Sequence, residues 1–148
     1  MGRKEEERMV QDSQAVTQAL FPFLRYRDAP AAIDWLEKAF GFVARLVIPN
    51  ENGTVAHAEL GLGPGVIMLA TARDDDLRMK SPRDLGAVTQ GIYVYLEDPD
   101  AHCERARASG AEIIREPEDT DYGSREYTAR DLEGHLWSFG TYRPSAAH

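Results

Sequence analysis

The stretch YGSREYTARDLEGHLWSFG, residues 122–140, decides the fold, because its pattern is typical of a strand, a tight turn and a second strand. The turn at 131–134 ends in a glycine, which tolerates the positive φ that such reversals need. Side chains alternate along a strand, so Trp137 and Phe139 share one face with His135, while Ser138 points to the other. We expect one face to cover a core and the other to line a surface.

A similar hairpin pattern occurs at residues 55–71, roughly 70 residues earlier. Each hairpin follows a segment that predicts a strand and then a helix, at 24–41 and at 94–110. The sequence therefore predicts an α+β fold of two consecutive βαβββ modules. The expected divisions are a charged tail at 1–18, a first module at 19–72, a connection at 73–88, a second module at 89–142 and a tail at 143–148. A connection this long is often a lid or a binding loop.

The strand predicted at 89–97 has the clearest alternation in the chain. Ile92, Val94 and Leu96 fall on one side of it, and Tyr93 and Tyr95 fall on the other. We expect the aliphatic side to face a helix. Tyr93 and Tyr95 then lie on the face of the strand that points away from the core, where they are candidates for a pocket.

Composition limits the classes of function. A chain of 148 residues with 43% hydrophobic content is enough for one compact domain with a sizeable core. No apolar run approaches a membrane span and the first residues are charged, so we expect a soluble, cytoplasmic protein. The net charge of −8 disfavours nucleic acid as a partner and permits a cationic small molecule. Cys103 is the single cysteine, so it cannot form an internal disulfide and is predicted to be a small helix residue.

Four motifs and the repeat carry a resemblance to a known family. They are LRYRDAPAAIDWLEKAFGF at 24–42, HAEL at 57–60, YGSR at 122–125 and DLEGHLWSF at 131–139. In this order and spacing they resemble the vicinal oxygen chelate superfamily, which includes glyoxalase I, bleomycin resistance proteins and extradiol dioxygenases. The resemblance covers about residues 20–142 and is greatest to the PhnB-like branch. It implies a curled mixed sheet with helices outside, a ligand site on the concave side, and a homodimer whose pockets are built partly from both subunits.

The resemblance also places the metal ligands. Metal-dependent relatives use His or Gln, and Glu, on the first and last strands of each module. In this chain those positions correspond to Phe21, Met68, Gly91 and Ser138. None of them offers the carboxylate, imidazole or carbonyl donors that a divalent ion needs. We therefore expect no metal and no cofactor.

His57 and Glu59 are the strongest remaining chemical pair, because residues i and i+2 of a strand project from the same face. One interpretation is a metal half-site or an acid–base pair. The other, which we favour, is a satisfied polar pair on the sheet. His102 is expected to be solvated on its helix, and His135 is expected to make a structural hydrogen bond.

Arg25 and Arg125 are the cations most able to reach a pocket, where a guanidinium clamps a carboxylate or stacks on an aromatic ring. For each, an ion pair within the protein is an equal alternative. The predicted ligand-binding residues are Phe21, Phe23, Arg25, Met68, Tyr93, Tyr95, Arg125 and Ser138. The aromatic side chains of Trp35, Trp137 and Phe139 are assigned to the core.

Two functions remain open. The first is a metal-free binding protein of the glyoxalase/bleomycin-resistance type, which sequesters an aromatic or cationic metabolite or drug in a concave pocket. The second is a divergent enzyme, a lyase, isomerase or dioxygenase, that uses a non-standard site around His57 and Glu59. The unsuitable residues at the four metal positions favour the first.

Overall fold

The computed structural model describes residues 18–147, so all but the last residue of the predicted charged tail lies outside the described residues. The strands are β1 (Phe23–Tyr26), β2 (Val43–Pro49), β3 (Val55–Leu62), β4 (Gly65–Thr71), β5 (Gly91–Tyr95), β6 (Glu112–Asp119), β7 (Arg125–Arg130) and β8 (Leu136–Gly140). The helices are α1 (Ala29–Phe40), α2 (Pro82–Leu85) and α3 (Pro99–Ala108). None of the described helices is long and apolar enough to span a membrane.

The strands form two four-stranded mixed sheets with the same connectivity. The orders are β1-β4-β3-β2 and β5-β8-β7-β6. In each sheet the first and last strands of a module are parallel neighbours, and the other pairs are antiparallel. This repeat confirms the predicted tandem βαβββ fold.

Helix α1 begins and ends where its sequence predicts. The Asp28 side chain accepts a hydrogen bond of 3.1 Å from the amide of Ala31, and Pro30 occupies the first turn. Gly41 adopts φ of 86° and ends the helix in the left-handed region. Asp98 caps α3 in the same way.

The two modules share one hydrophobic core. The Phe40 ring, at the end of α1, lies 5.4 Å from the ring of Trp137 and 4.8 Å from that of Phe139, both on β8. All three side chains are fully buried. The helix of the first module therefore packs on the last strand of the second. The core assignment of these aromatic residues is confirmed, and Trp35, Ile92, Val94 and Leu96 pack against the same core.

The turn at 131–134 joins the modules through its acidic side chains. Asp131 accepts hydrogen bonds from the Tyr26 hydroxyl (2.6 Å) and from Trp137 Nε1 (3.0 Å). Glu133 accepts from the backbone amides of Arg27 (2.6 Å) and Asp28 (2.9 Å). The predicted turn is confirmed, with Gly134 at φ of 97°. Its role as the link between modules was not predicted.

Two histidines are structural. His135 Nε2 donates to the carbonyl oxygen of Arg25 at 2.9 Å, which confirms the predicted hydrogen bond. The prediction of a solvated His102 is wrong. Its Nε2 donates to the Phe40 carbonyl oxygen at 2.8 Å, its Nδ1 accepts from the Tyr127 hydroxyl, and its ring lies 4.4 Å from that of Phe139. Position 102 lies on the side of α3 that faces the core, so the His102 ring is partly buried there.

Candidate functional site

Each sheet has one face turned away from the helices, and the two faces form separate depressions. We call the first the first-module surface. It consists of Phe23, Arg25, His57, Met68 and Ala70 of the sheet with Arg73 and Leu77 of the connection. We call the other the second-module surface. It consists of Gly91, Tyr93, Tyr122, Glu126, Ser138, Tyr142 and Pro144.

The second-module surface is an aromatic wall with a carboxylate at its edge. Tyr93 lies opposite Ser138 in the β5–β8 pair, and its hydroxyl donates to the Tyr142 carbonyl oxygen at 2.6 Å. Tyr122 donates to both carboxylate oxygens of Glu126, at 2.9 and 3.0 Å. The rings of Tyr122 and Tyr142 meet edge to face at 5.8 Å. The depression between these groups has a volume of about 440 Å³.

Gly140 lets the Tyr93 side chain lie across β8. A Cβ atom at position 140 would lie 2.7 Å from the Tyr93 hydroxyl oxygen and 2.5 Å from Cγ of Glu126. Burial raises the pKa of Tyr93, so its hydroxyl stays protonated and remains a donor at neutral pH.

The first-module surface combines apolar side chains with a buried cation. Phe23 lies opposite Met68 in the β1–β4 pair, and Arg25 follows two residues later on the same face. Arg25 is only 6% exposed. Its guanidinium lies 3.9 Å from Oδ2 of Asp75, and the depression beside it has a volume of about 350 Å³.

His57 and Glu59 share this face of the first sheet, and His57 borders the depression. His57 Nε2 and Glu59 Oε2 are 2.7 Å apart, and both side chains are about one third exposed. The structure therefore shows the hydrogen-bonded polar pair that the sequence favours. Among residues 18–147 no group of three or more His, Cys, Asp or Glu side chains is arranged to hold a metal ion.

The four positions that the family resemblance assigns to a metal offer no suitable donor set. Phe21 precedes β1, Met68 supplies a thioether, and Gly91 has no side chain. The Ser138 hydroxyl is hydrogen-bonded to that of Thr128 at 2.8 Å. These residues do not fit a divalent ion, which requires several oxygen or nitrogen donors around one point.

The predicted ligand-binding residues do not line one surface of the chain. Phe23, Arg25 and Met68 lie on the first-module surface, whereas Tyr93 and Ser138 lie on the second. Phe21 borders neither depression. Tyr95 shares the face of Tyr93 but does not border the second-module surface. It lines a second cleft, which Tyr93 also borders, and there the Arg143 guanidinium stands 5.0 Å from the centre of the Tyr95 ring.

The placement of Arg125 at a pocket is wrong. Arg125 has the same parity on β7 as buried Tyr127, so it projects toward the helices. It donates to both carboxylate oxygens of Asp100, at 2.6 and 2.9 Å, and to Asp119 at 3.2 Å. The alternative, an ion pair within the protein, is correct.

Sequence reasoning missed Tyr122, Glu126 and Tyr142 as parts of the second-module surface. Alternation along β7 could have found Glu126, because Tyr127 is the core-facing residue beside it. Tyr122 and Tyr142 lie outside the strands, and no periodic pattern marks them.

Comparisons with known proteins agree with this architecture. The family described as Glyoxalase/Bleomycin resistance protein/Dioxygenase superfamily matches residues 16–139. An uncharacterized protein of Mycobacterium bovis is 34% identical over 131 residues, which are 84% of this chain and 84% of that protein. The crystal structure of TioX from Micromonospora sp. ML1 is 35% identical with a TM-score of 0.69, covering 85% of this chain and 99% of that one.

A more distant structure shows the fold alone. It is a glyoxalase/bleomycin resistance protein/dioxygenase family enzyme from Burkholderia phytofirmans PsJN, 17% identical with a TM-score of 0.62, and the match covers 81% of this chain and 94% of that one. The family match spans most of the chain, and the repeated βαβββ sheets are the corresponding architecture. The chain therefore belongs to the glyoxalase/bleomycin resistance protein/dioxygenase superfamily.

Proposed function

We propose that this protein binds a planar aromatic small molecule, and that it does so without a metal. The observation that carries the proposal is the second-module surface, where Tyr93, Tyr122 and Tyr142 surround an open depression. Stacking on aromatic rings favours a flat, partly apolar ligand. Sequestration of an aromatic metabolite or drug needs no catalytic group.

A positive charge on the ligand fits the same surface. Glu126 stands at its edge, and the faces of tyrosine rings attract cations. The net charge of −8 acts in the same direction at long range. An aromatic cation is therefore the ligand class that we propose for this surface, in a cytoplasmic protein of the PhnB-like branch.

A second copy of the chain is part of this proposal. The two surfaces are separate within one chain, and each sheet ends in edge strands that pair with no further strand among residues 18–147. A homodimer with two-fold symmetry can place a surface of one subunit opposite a surface of its partner. Pockets built from both subunits would enclose more of a flat ligand than either depression does.

Calorimetric titration with a matched pair of probes tests the proposed ligand class. 2-Naphthylmethylammonium supplies an aromatic ring and a positive charge, and 2-naphthylmethanol supplies the ring alone. We expect the cation to bind more tightly than the alcohol. We expect Tyr93→Leu to weaken its binding about threefold to tenfold, the range that corresponds to one lost aromatic contact.

Tyr95→Leu is the matched control, because Tyr95 lies on the same strand and face as Tyr93 but does not border the second-module surface. It should leave the affinity for the cation unchanged. Equal loss in both variants would show that ligand binds between these tyrosines rather than on the second-module surface. No binding of either probe to the wild-type protein would reject the proposal.

An enzyme that uses His57 and Glu59 is the second candidate function. The 2.7 Å contact between them supports it, because a carboxylate can orient an imidazole for proton transfer beside the depression of the first-module surface. A turnover that His57→Gln abolishes, with ligand affinity retained, would favour this candidate over simple binding.

A further inference from the structure

We infer that Arg25 is an anion-binding residue, and that the ligand of the first-module surface carries a carboxylate or a similar oxyanion. This inference rests on the proposed function in one respect, since it adds a charged group to a small molecule that the protein binds. It concerns a different surface from the one with Tyr93.

Arg25 is a buried cation whose hydrogen-bonding capacity is unused. Its side chain is 7% exposed, and its guanidinium makes no hydrogen bond with any other residue in the described part of the chain. A guanidinium has five N–H donors, and no buried side-chain nitrogen among the described residues lacks a hydrogen-bond partner, so the guanidinium nitrogens of Arg25 stay within reach of the cavities that it lines. A ligand oxyanion in those cavities could accept two of the hydrogen bonds in a fork.

The one carboxylate near Arg25 is already engaged. Oδ2 of Asp75 lies 3.9 Å from Arg25, beyond hydrogen-bond distance, and the same oxygen accepts a hydrogen bond of 2.8 Å from Arg73 Nε. Two guanidinium groups therefore share one negative charge. Asp74 and Asp84 line the neighbouring cleft with Arg73, Arg78 and Lys80, so part of the positive charge of this region is balanced there.

Cationic side chains line both of the cavities that border Arg25. One is the depression of the first-module surface, and the other, of about 250 Å³, lies between the connection and the ends of β5 and β8. Arg73 borders the first, and Arg78 and Lys80 border the second, whereas neither cavity is bordered by an Asp or Glu. Arg78 has φ of 54°, the one non-glycine residue among 18–147 with positive φ. Such backbone strain is frequent where a loop serves a binding site.

The apolar side chains beside Arg25 indicate the chemistry of the uncharged part of the ligand. Phe23, Met68 and Leu77 border the same depression as Arg25. An aromatic ring can pack against the first two while an attached carboxylate reaches the guanidinium. The chemical class that fits is a flat aromatic carboxylate, or an aromatic molecule with another planar oxyanion.

Calorimetry with 2-naphthoate and its neutral isostere 2-naphthamide tests the inference on the full-length protein. We expect wild type to bind the carboxylate at least about tenfold more tightly than the amide, as hydrogen bonds to a charged partner imply. Arg25→Met should abolish this preference. Arg25→Lys should keep part of it, because a lysine retains the charge but not the fork.

Arg125→Met is the matched control, since Arg125 is an ion-paired arginine on the helix-facing side of the second sheet, away from the first-module surface. It should leave the preference intact. Inorganic phosphate should compete with the carboxylate for wild type and not with the amide, a measurement that needs no variant to fold. Equal affinities for the two probes in wild type, or an unchanged preference in a folded Arg25→Met, would overturn the inference.

The outcomes separate this inference from the proposed function. If the naphthalene probes bind with no preference for the carboxylate, the protein binds aromatic molecules but Arg25 is not an anion site. If 2-naphthoate, 2-naphthamide and 2-naphthylmethylammonium all fail to bind, while phosphate raises the unfolding temperature of wild type and not of Arg25→Met, the anion site stands and the proposed function fails. No response to any probe rejects both.

Discussion

The Tyr26 hydroxyl of β1 donates a hydrogen bond of 2.6 Å to Oδ2 of Asp131, across the boundary between the two modules. Tyr26 is fully buried and Asp131 nearly so. Burial first, and the negative charge of Asp131 second, raise the pKa of Tyr26 well above its usual value, so the hydroxyl remains a donor. The Asp131 carboxylate therefore accepts hydrogen bonds from a tyrosine of the first module and from the indole of Trp137 in the second.

We predict that Asp131→Ala destabilises the protein by more than about 3 kcal/mol, since it leaves several donors without a partner and each buried one costs about 1–3 kcal/mol. Tyr26→Phe should cost less, about 1–3 kcal/mol, because Asp131 keeps its other donors. Urea unfolding measures both values, with Glu51→Ala in an exposed turn as the control. A loss for Asp131→Ala no larger than that of the control would show that the contact does not stabilise the fold.

His102 should make stability depend on pH. Burial lowers the pKa of His102, although its bond to the Phe40 carbonyl acts in the opposite direction. Below its ordinary pKa of about 6.5, the unfolded chain takes up a proton that the folded protein resists. Stability is therefore full above that pH and is lost as the pH falls toward the lower folded pKa.

Unfolding measured from pH 7.5 down to 5 should show this loss in wild type and a smaller one in His102→Gln. Parallel curves for wild type and His102→Gln would contradict the prediction.

We predict that the purified protein holds no stoichiometric Zn, Ni, Mn or Fe, because Phe21, Met68, Gly91 and Ser138 do not form a donor set. Elemental analysis of untagged protein after mild dialysis gives the metal content. About one tightly bound ion per chain would contradict the prediction and would direct attention to His57 and Glu59.

Gly140→Ala should displace Tyr93 from the second-module surface, since the new Cβ would overlap the tyrosine hydroxyl and the Glu126 side chain. We expect a loss of stability of about 1–3 kcal/mol and weaker binding of 2-naphthylmethylammonium. Gly65→Ala, where the nearest atom is 3.5 Å away, is the spatial control and should change binding little. Unchanged binding in folded Gly140→Ala would argue against Tyr93 as a ligand contact.

We predict a homodimer at tens of micromolar. The edge strand β2 exposes Val43, Leu46, Val47 and Ile48 by 43–54%, and an apolar edge of this kind favours a partner. Light scattering measures the mass. A Val47→Lys variant should shift the population toward monomer, whereas detection of monomer alone in wild type would contradict the prediction.

Local sequence patterns determined the architecture of this protein. Asp28 and Gly41 bound α1 through hydrogen bonds and φ values within a few residues of themselves. Alternation placed Ile92 against the core and Tyr93 on the opposite face, because the side-chain period of a strand is set by its own backbone. The residue types at the four positions that the resemblance assigns to a metal are likewise a property of the sequence alone.

Only the tertiary structure decided which distant side chains meet. It separated Phe23 from Tyr93 on two surfaces, engaged Arg125 with Asp100, buried His102 against Phe40 and left the Arg25 guanidinium without a hydrogen bond to any of residues 18–147. The contact of His102 with Phe40 joins the two modules, whereas Arg125 and Asp100 meet through packing between two elements of the second module. A local pattern fixes the face on which a side chain lies, but the partner on that face is set by long-range packing.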